Sequence, residues 1–231
     1  MSLQNRKVVI IGGSAGIGLA TAVAAAAAGA HVVVGARDAR ELSKMSSEAR
    51  ASIDFCKLDV RDVRGGDYCI DQIGPFDHLV YTAVEPHNAP FLEMEIEEAH
   101  KVFDVKFWGA MAAIQSAAPS ILEGGSVTLF SGVSAHKPIR GLSLLAAANG
   151  AIEALVRSLA VELSPIRVNA VSPGLVDTHG MRDEQREALA STLPTRRVGT
   201  AADVAQAALF AMQNTFMTGT VIHVDGGDKL V

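Results

Sequence analysis

The chain has 231 residues, is 49% hydrophobic but only 5% aromatic, and carries a formal charge of −5 at pH 7, which describes one globular domain with ample apolar side chains. A mildly acidic balance without blocks of like charge argues against nucleic acid and anionic membrane surfaces as partners and leaves small molecules. Cys56 and Cys69 are the two cysteines; with no CxxC pair and no zinc-like histidine spacing, neither disulfide scaffold nor metal site is expected, and both are read as reduced thiols.

The start Met1 to Lys7 passes straight into an apolar strand, without the h-region of a secretory signal, so a cytoplasmic protein is expected. Val8-Val9-Ile10-Ile11 reads as a strand buried on both faces, followed by the glycine cluster Gly12 to Gly18 and an Ala-rich helix ending at Gly29. The Ala22 to Ala30 run is too short to span a bilayer. The alternation repeats with strands His31–Val34, Ile53–Cys56 and His78–Tyr81, and with helices predicted from about Asp38 and after Asp62. A long helix is predicted over Ile96–Ala118, stopped by Pro119, then a strand at Ser126–Phe130 and a second long helix over Leu144–Leu163. Strands at Ile166–Val171 and Thr220–Val224 bring the candidates to seven, with a helix-prone segment from Asp183 to Met212 between them, broken by Pro194 and Gly199. Strands separated by helix-length segments imply right-handed βαβ crossovers, hence a doubly wound, parallel, seven-stranded Rossmann-type α/β sheet in a single domain over 1–231.

Gly12-Gly13-Ser14-Ala15-Gly16-Ile17-Gly18 sits between the first strand and the first helix. There glycines permit a tight turn and close approach of a pyrophosphate, while the helix N-terminus supplies unpaired N–H groups, so Gly12, Ser14, Gly16, Ile17 and Gly18 are candidate cofactor contacts. An acid at the end of the second strand would favour the free ribose of NAD; here Ala36-Arg37 follows, and the guanidinium of Arg37 favours NADP(H).

The spacing Gly12-xxx-Gly16-x-Gly18, with Leu58-Asp59-Val60, Arg167-Val168-Asn169-Ala170-Val171-Ser172-Pro173-Gly174, the helix Ala151 to Leu163 and the ending Asp225-Gly226-Gly227, resembles the short-chain dehydrogenase/reductase superfamily over essentially the whole chain. The resemblance implies that Asp59 and Val60 border the adenine and that Pro173, Gly174, Val176 and Thr178 line the nicotinamide. It also implies a cofactor contact at Ala83 and a homo-oligomer, dimer or tetramer, joined through long helices and the last strand.

Those enzymes pair hydride transfer with proton transfer from a Tyr acidified by a Lys four residues later. Here Leu145 aligns with the Tyr and Asn149 with the Lys. The Ser that polarises the carbonyl falls on Gly132, flanked by Ser131 and Ser134; the helix Asn falls on Lys106; and the Asn-Asn-Ala-Gly turn is Tyr81-Thr82-Ala83-Val84. Substitute chemistry is expected from Lys106, as a proton donor of lowered pKa or an electrostatic clamp, and from His136 in the loop after the fifth strand. Glu85 and His87 form a weaker candidate pair, and the Asn149 amide suits a hydrogen bond to the nicotinamide ribose. Three functions stay open: an atypical NADP(H)-dependent reductase of activated carbonyl or conjugated substrates; an NADP(H)-binding protein without turnover; and a non-redox cyclase, dehydratase or isomerase.

Overall fold

The structure, a computed structural model, describes residues 1–39, 42, 50–62 and 73–231. Its elements are β1 (Lys7–Ile11), α1 (Gly16–Ala27), β2 (His31–Ala36), β3 (Ile53–Lys57), β4 (Phe76–Tyr81), α2 (Ile96–Phe103), a π-helical turn (Asp104–Trp108), α3 (Gly109–Ala117) and β5 (Ile121–Phe130). They continue as α4 (Ser143–Glu162), β6 (Arg167–Pro173), β7 (Val176–Asp177), α5 (Asp183–Thr192), β8 (Gly199–Thr200), α6 (Ala201–Gln213) and β9 (Val221–Val224). The helix predicted after Asp62 lies outside the described residues, as does most of that predicted from Asp38.

The sheet has seven strands in the order β3-β2-β1-β4-β5-β6-β9, and every neighbouring pair is parallel. Alternation along β1 shows why: Val9 and Ile11 belong to one core, Val8 and Ile10 to the other, so the strand is apolar throughout because both faces are covered. The first core takes Ala110, Ala113 and Ile114 from α3 and Ile152 and Val156 from α4. The second takes Ala22 and Ala25 from α1 and Val204, Ala208 and Met212 from α6, and the small Ala22, Ala25 and Ala208 let these two helices pack closely. The C-terminus of α6 is held by the buried Arg167, whose guanidinium donates to the carbonyls of Ala211, Met212 and Asn214, each at 2.8 Å.

Two details depart from the sequence reading. The helix predicted over Ile96–Ala118 is interrupted by the π turn, and β8, between α5 and α6, pairs with β7, which precedes α5, as a short two-stranded sheet. Cys56 on β3 is disulfide-bonded, which corrects the expected free thiol, because spacing along the chain says nothing of distance in space; Cys69 lies outside the described residues. By length and composition α4 is long and apolar enough to cross a membrane. It lies against β6, with Ile152 and Val156 buried.

Candidate cofactor cleft and reaction site

The strand order reverses between β1 and β4, and a crevice opens there at the carboxyl ends of the strands. It is a cleft of about 420 Å³, a size within the range of small-molecule sites. Gly12 leaves β1 at φ +83 and a Cβ on it would stand 2.7 Å from the Ala83 nitrogen; a Cβ on Gly18 would stand 2.3 Å from the Gly12 carbonyl oxygen. These glycines are therefore needed for the close crossing of the β1 turn, the first turn of α1 and the β4 turn. Ala15, the N-cap of α1, offers no side-chain acceptor and the first turn has no acid, so its leading amides stand ready for an anion.

Of the residues singled out from sequence, the cleft brings together Gly12, Ser14, Gly16, Ile17, Gly18, Arg37, Asp59, Val60, Ala83 and Thr178. Asn149, Pro173, Gly174 and Val176 lie off its lining: Gly174 donates its N–H to the Val224 carbonyl, and Val176 pairs with Gly199. Glu85 joins the lining, while the His87 Nε2 is buried without a partner among the described residues, and no hydrogen bond joins the two. The sequence reading missed Arg61. Its Nε and Nη2 donate to Asp59 at 3.0 and 2.6 Å, and the hydrogen bond from Arg61 is the chief reason the Asp59 carboxyl falls to about 2. The signal was the Asp-x-Arg turn following β3, in which Asp59 also accepts the Arg61 N–H.

Toward β5 a second group of polar residues collects. The Tyr81 hydroxyl at the end of β4 donates to the Val105 carbonyl inside the π turn. Gly109 makes room for it, since a Cβ there would stand 2.5 Å from that hydroxyl. The wide turn carries Lys106 inward: the side chain is buried, its Nζ lies 3.4 Å from the Ser131 carbonyl, and burial alone brings its pKa from 10.5 to about 8. π turns of this kind recur at functional sites. Beside it, α4 presents the buried Glu153, which accepts from the Ser131 hydroxyl at 2.9 Å and contacts His136 Nε2 at 2.9 Å through its other oxygen. The His136 ring meets that of His223 edge-on at 4.9 Å between centroids. Neither Lys106 nor His136 lines the cleft at the β1 and β4 turns.

A family profile described as enoyl-(acyl carrier protein) reductase matches residues 12–228. The short-chain dehydrogenase/reductase malC of Malbranchea aurantiaca is 31% identical over 97% of this chain and 95% of its own length. The chain belongs to the short-chain dehydrogenase/reductase family. An L-xylulose reductase from Mesocricetus auratus is 30% identical over 98% of both chains. A solved small-chain dehydrogenase in complex with NADPH is 37% identical, with a TM-score of 0.80 over 99% of this chain and 100% of that one.

In this short-chain dehydrogenase/reductase, Leu145 and Asn149 occupy the first two turns of α4. Asn149 Nδ2 donates to Ser134 Oγ at 2.9 Å, while its Oδ1 is buried without a partner among the described residues. A Cβ on Gly132 would stand 2.8 Å from that Nδ2, so a serine there would press on Asn149. The site therefore offers a buried ammonium, an unpaired amide oxygen and a carboxylate-held imidazole. Among the described residues no cluster of metal-ligating side chains occurs.

Proposed function

We propose that the protein is an atypical NADP(H)-dependent reductase of small, activated carbonyl or conjugated substrates, in which Lys106 supplies the proton. The glycine turn and the α1 N-terminus would hold the pyrophosphate, Arg37 the 2′-phosphate, and the free Oδ1 of Asn149 a ribose hydroxyl. The bound nicotinamide supplies a hydride. Lys106 carries the reading: Leu145 has no proton to give, whereas the buried Nζ of Lys106 meets, among the described residues, only the Ser131 carbonyl and can release a proton near pH 8. Its proton neutralises the oxyanion or carbanion left by hydride addition, and the resulting amine is reprotonated by solvent.

Losing a phenol positioned as general acid forfeits roughly two to four powers of ten in rate, so quinones, iminium ions and conjugated enones are favoured over simple ketones. A homo-oligomer joined through α4 and β9 belongs to the same reading; every residue of β9 is partly exposed. The test is stopped-flow absorbance of enzyme-bound NADPH mixed with a panel of quinones, enones, iminium ions and ketones. Oxidation by activated compounds, lost in Lys106→Met, is expected. No oxidation by any compound, with NADPH tightly bound, would establish instead the reading favoured by the apolar Leu145, a cofactor-binding protein without turnover.

A further inference from the structure

We infer that Arg61 is an adenine-binding residue, its guanidinium forming a flat cationic wall at the adenosine end of the cleft. The inference rests on the cofactor reading above. With the pyrophosphate at the glycine turn, the base must lie toward the carboxyl ends of β2 and β3, where Gly35, Leu58 and Val60 provide an apolar side and Arg61 a charged one.

The guanidinium is aimed by its own neighbours. Asp59 takes two parallel N–H bonds from it, at 3.0 and 2.6 Å, and also the Arg61 backbone N–H at 3.0 Å, which closes the turn after β3. A bidentate pair of this kind fixes the plane of the guanidinium as well as its position. Asp59 takes Nε and one N–H of Nη2 along one edge of the group and leaves the broad face uncovered by these bonds, and such a face stacks on aromatic rings. The charges around it point the same way. Arg61 lies within the fields of both Asp59 and Glu85, on the same cleft. Two carboxylates beside it disfavour a phosphate dianion at this point but not a neutral purine, and leave the 2′-phosphate to Arg37.

The test is calorimetric titration of the folded full-length chain with NADPH, NADH and reduced nicotinamide mononucleotide, which lacks adenine, for wild type, Arg61→Ala and Arg61→Lys. Arg61→Ala is expected to weaken NADPH and NADH by the same factor, roughly threefold to thirtyfold, and to leave the mononucleotide unchanged. Arg61→Lys keeps the charge without the plane and should recover little of that loss. A loss confined to NADPH would make Arg61 a phosphate ligand and overturn the inference, as would unaltered affinity for both dinucleotides. Failure of wild type to take up either dinucleotide would bring down the cofactor reading itself, and is seen before any variant is compared.

Discussion

Replacing Lys106 by Met should make the protein more stable and less active. Burial lowers the Lys106 pKa from 10.5 to about 8, and at about 1.4 kcal/mol for each tenfold change in proton affinity the ammonium costs the fold roughly 3 kcal/mol. Below about pH 8 the folded and unfolded chains both carry the proton, so the cost is present in full. Between about pH 8 and 10.5 the folded chain has released it while the unfolded chain keeps it. The unfolded state then binds more protons, wild-type stability rises with pH relative to the variant, and above 10.5 the cost is gone. Methionine has similar length and no charge, so the variant's advantage should be about 3 kcal/mol near pH 7 and close on approach to pH 10.5. Urea unfolding followed by circular dichroism at matched protein concentration across that range reads the gap directly. In single-turnover NADPH oxidation, the wild-type rate should fall as pH rises through about 8, whereas the variant should show no such step. A less stable Lys106→Met, or a gap that ignores pH, would mean that the ammonium is compensated in the fold and would remove the reason for choosing it as proton donor.

Arg37→Ala should weaken NADPH by roughly tenfold to a hundredfold and leave NADH unchanged, since charge-assisted hydrogen bonds contribute about 1.5–3 kcal/mol; calorimetry distinguishes this from a uniform loss. Gly18→Ala places a Cβ 2.3 Å from the Gly12 carbonyl oxygen, and the crowded turn should lose dinucleotide affinity at least about tenfold while costing roughly 1–3 kcal/mol of stability, read by calorimetry and urea unfolding. Glu153→Leu deprives Ser131 and His136 of their shared acceptor and should cost on the order of 1–3 kcal/mol in urea unfolding, with Glu153→Gln recovering most of it.

The strands of the sheet were legible because a parallel sheet covered on both faces needs short β-branched runs, and Val8 to Ile11 and His31 to Val34 supply them. The glycine turn was legible because its constraint is local: Gly12 and Gly18 answer to backbone atoms that any β-turn-α crossing of this kind brings together. Features set by tertiary contact stayed hidden. Asp104 to Trp108 has ordinary helical composition, and its widening into a π turn accompanies a bond from Tyr81, more than twenty residues earlier. Glu153, between apolar neighbours on α4, reads in sequence as a solvated helix position; Ser131 and His136 are what allow its burial. Arg61 was overlooked because an exposed arginine in a turn is common, and only the cleft gives it a place.

The two halves of the site depend on the sequence in different ways, and this explains how one can be kept while the other changes. The cradle is built mostly from backbone, the amides of α1 and the close crossing at Gly12, Gly18 and Ala83, so it is insensitive to most side-chain changes elsewhere. The reaction end rests on a few side chains carried by the π turn, the β5 loop and α4. Substituting Leu145 or Asn149 removes chemistry without touching the cradle. The converse change should then be equally separable. The triple variant Lys106→Asn, Leu145→Tyr, Asn149→Lys restores on this backbone the phenol, amine and amide that the family resemblance implies, and should raise simple-ketone reduction at saturating NADPH by roughly a hundredfold or more. Unchanged ketone rates in a folded variant that still binds NADPH would place the barrier to ketone reduction in the shape of the reaction end rather than in the lack of a phenol at position 145.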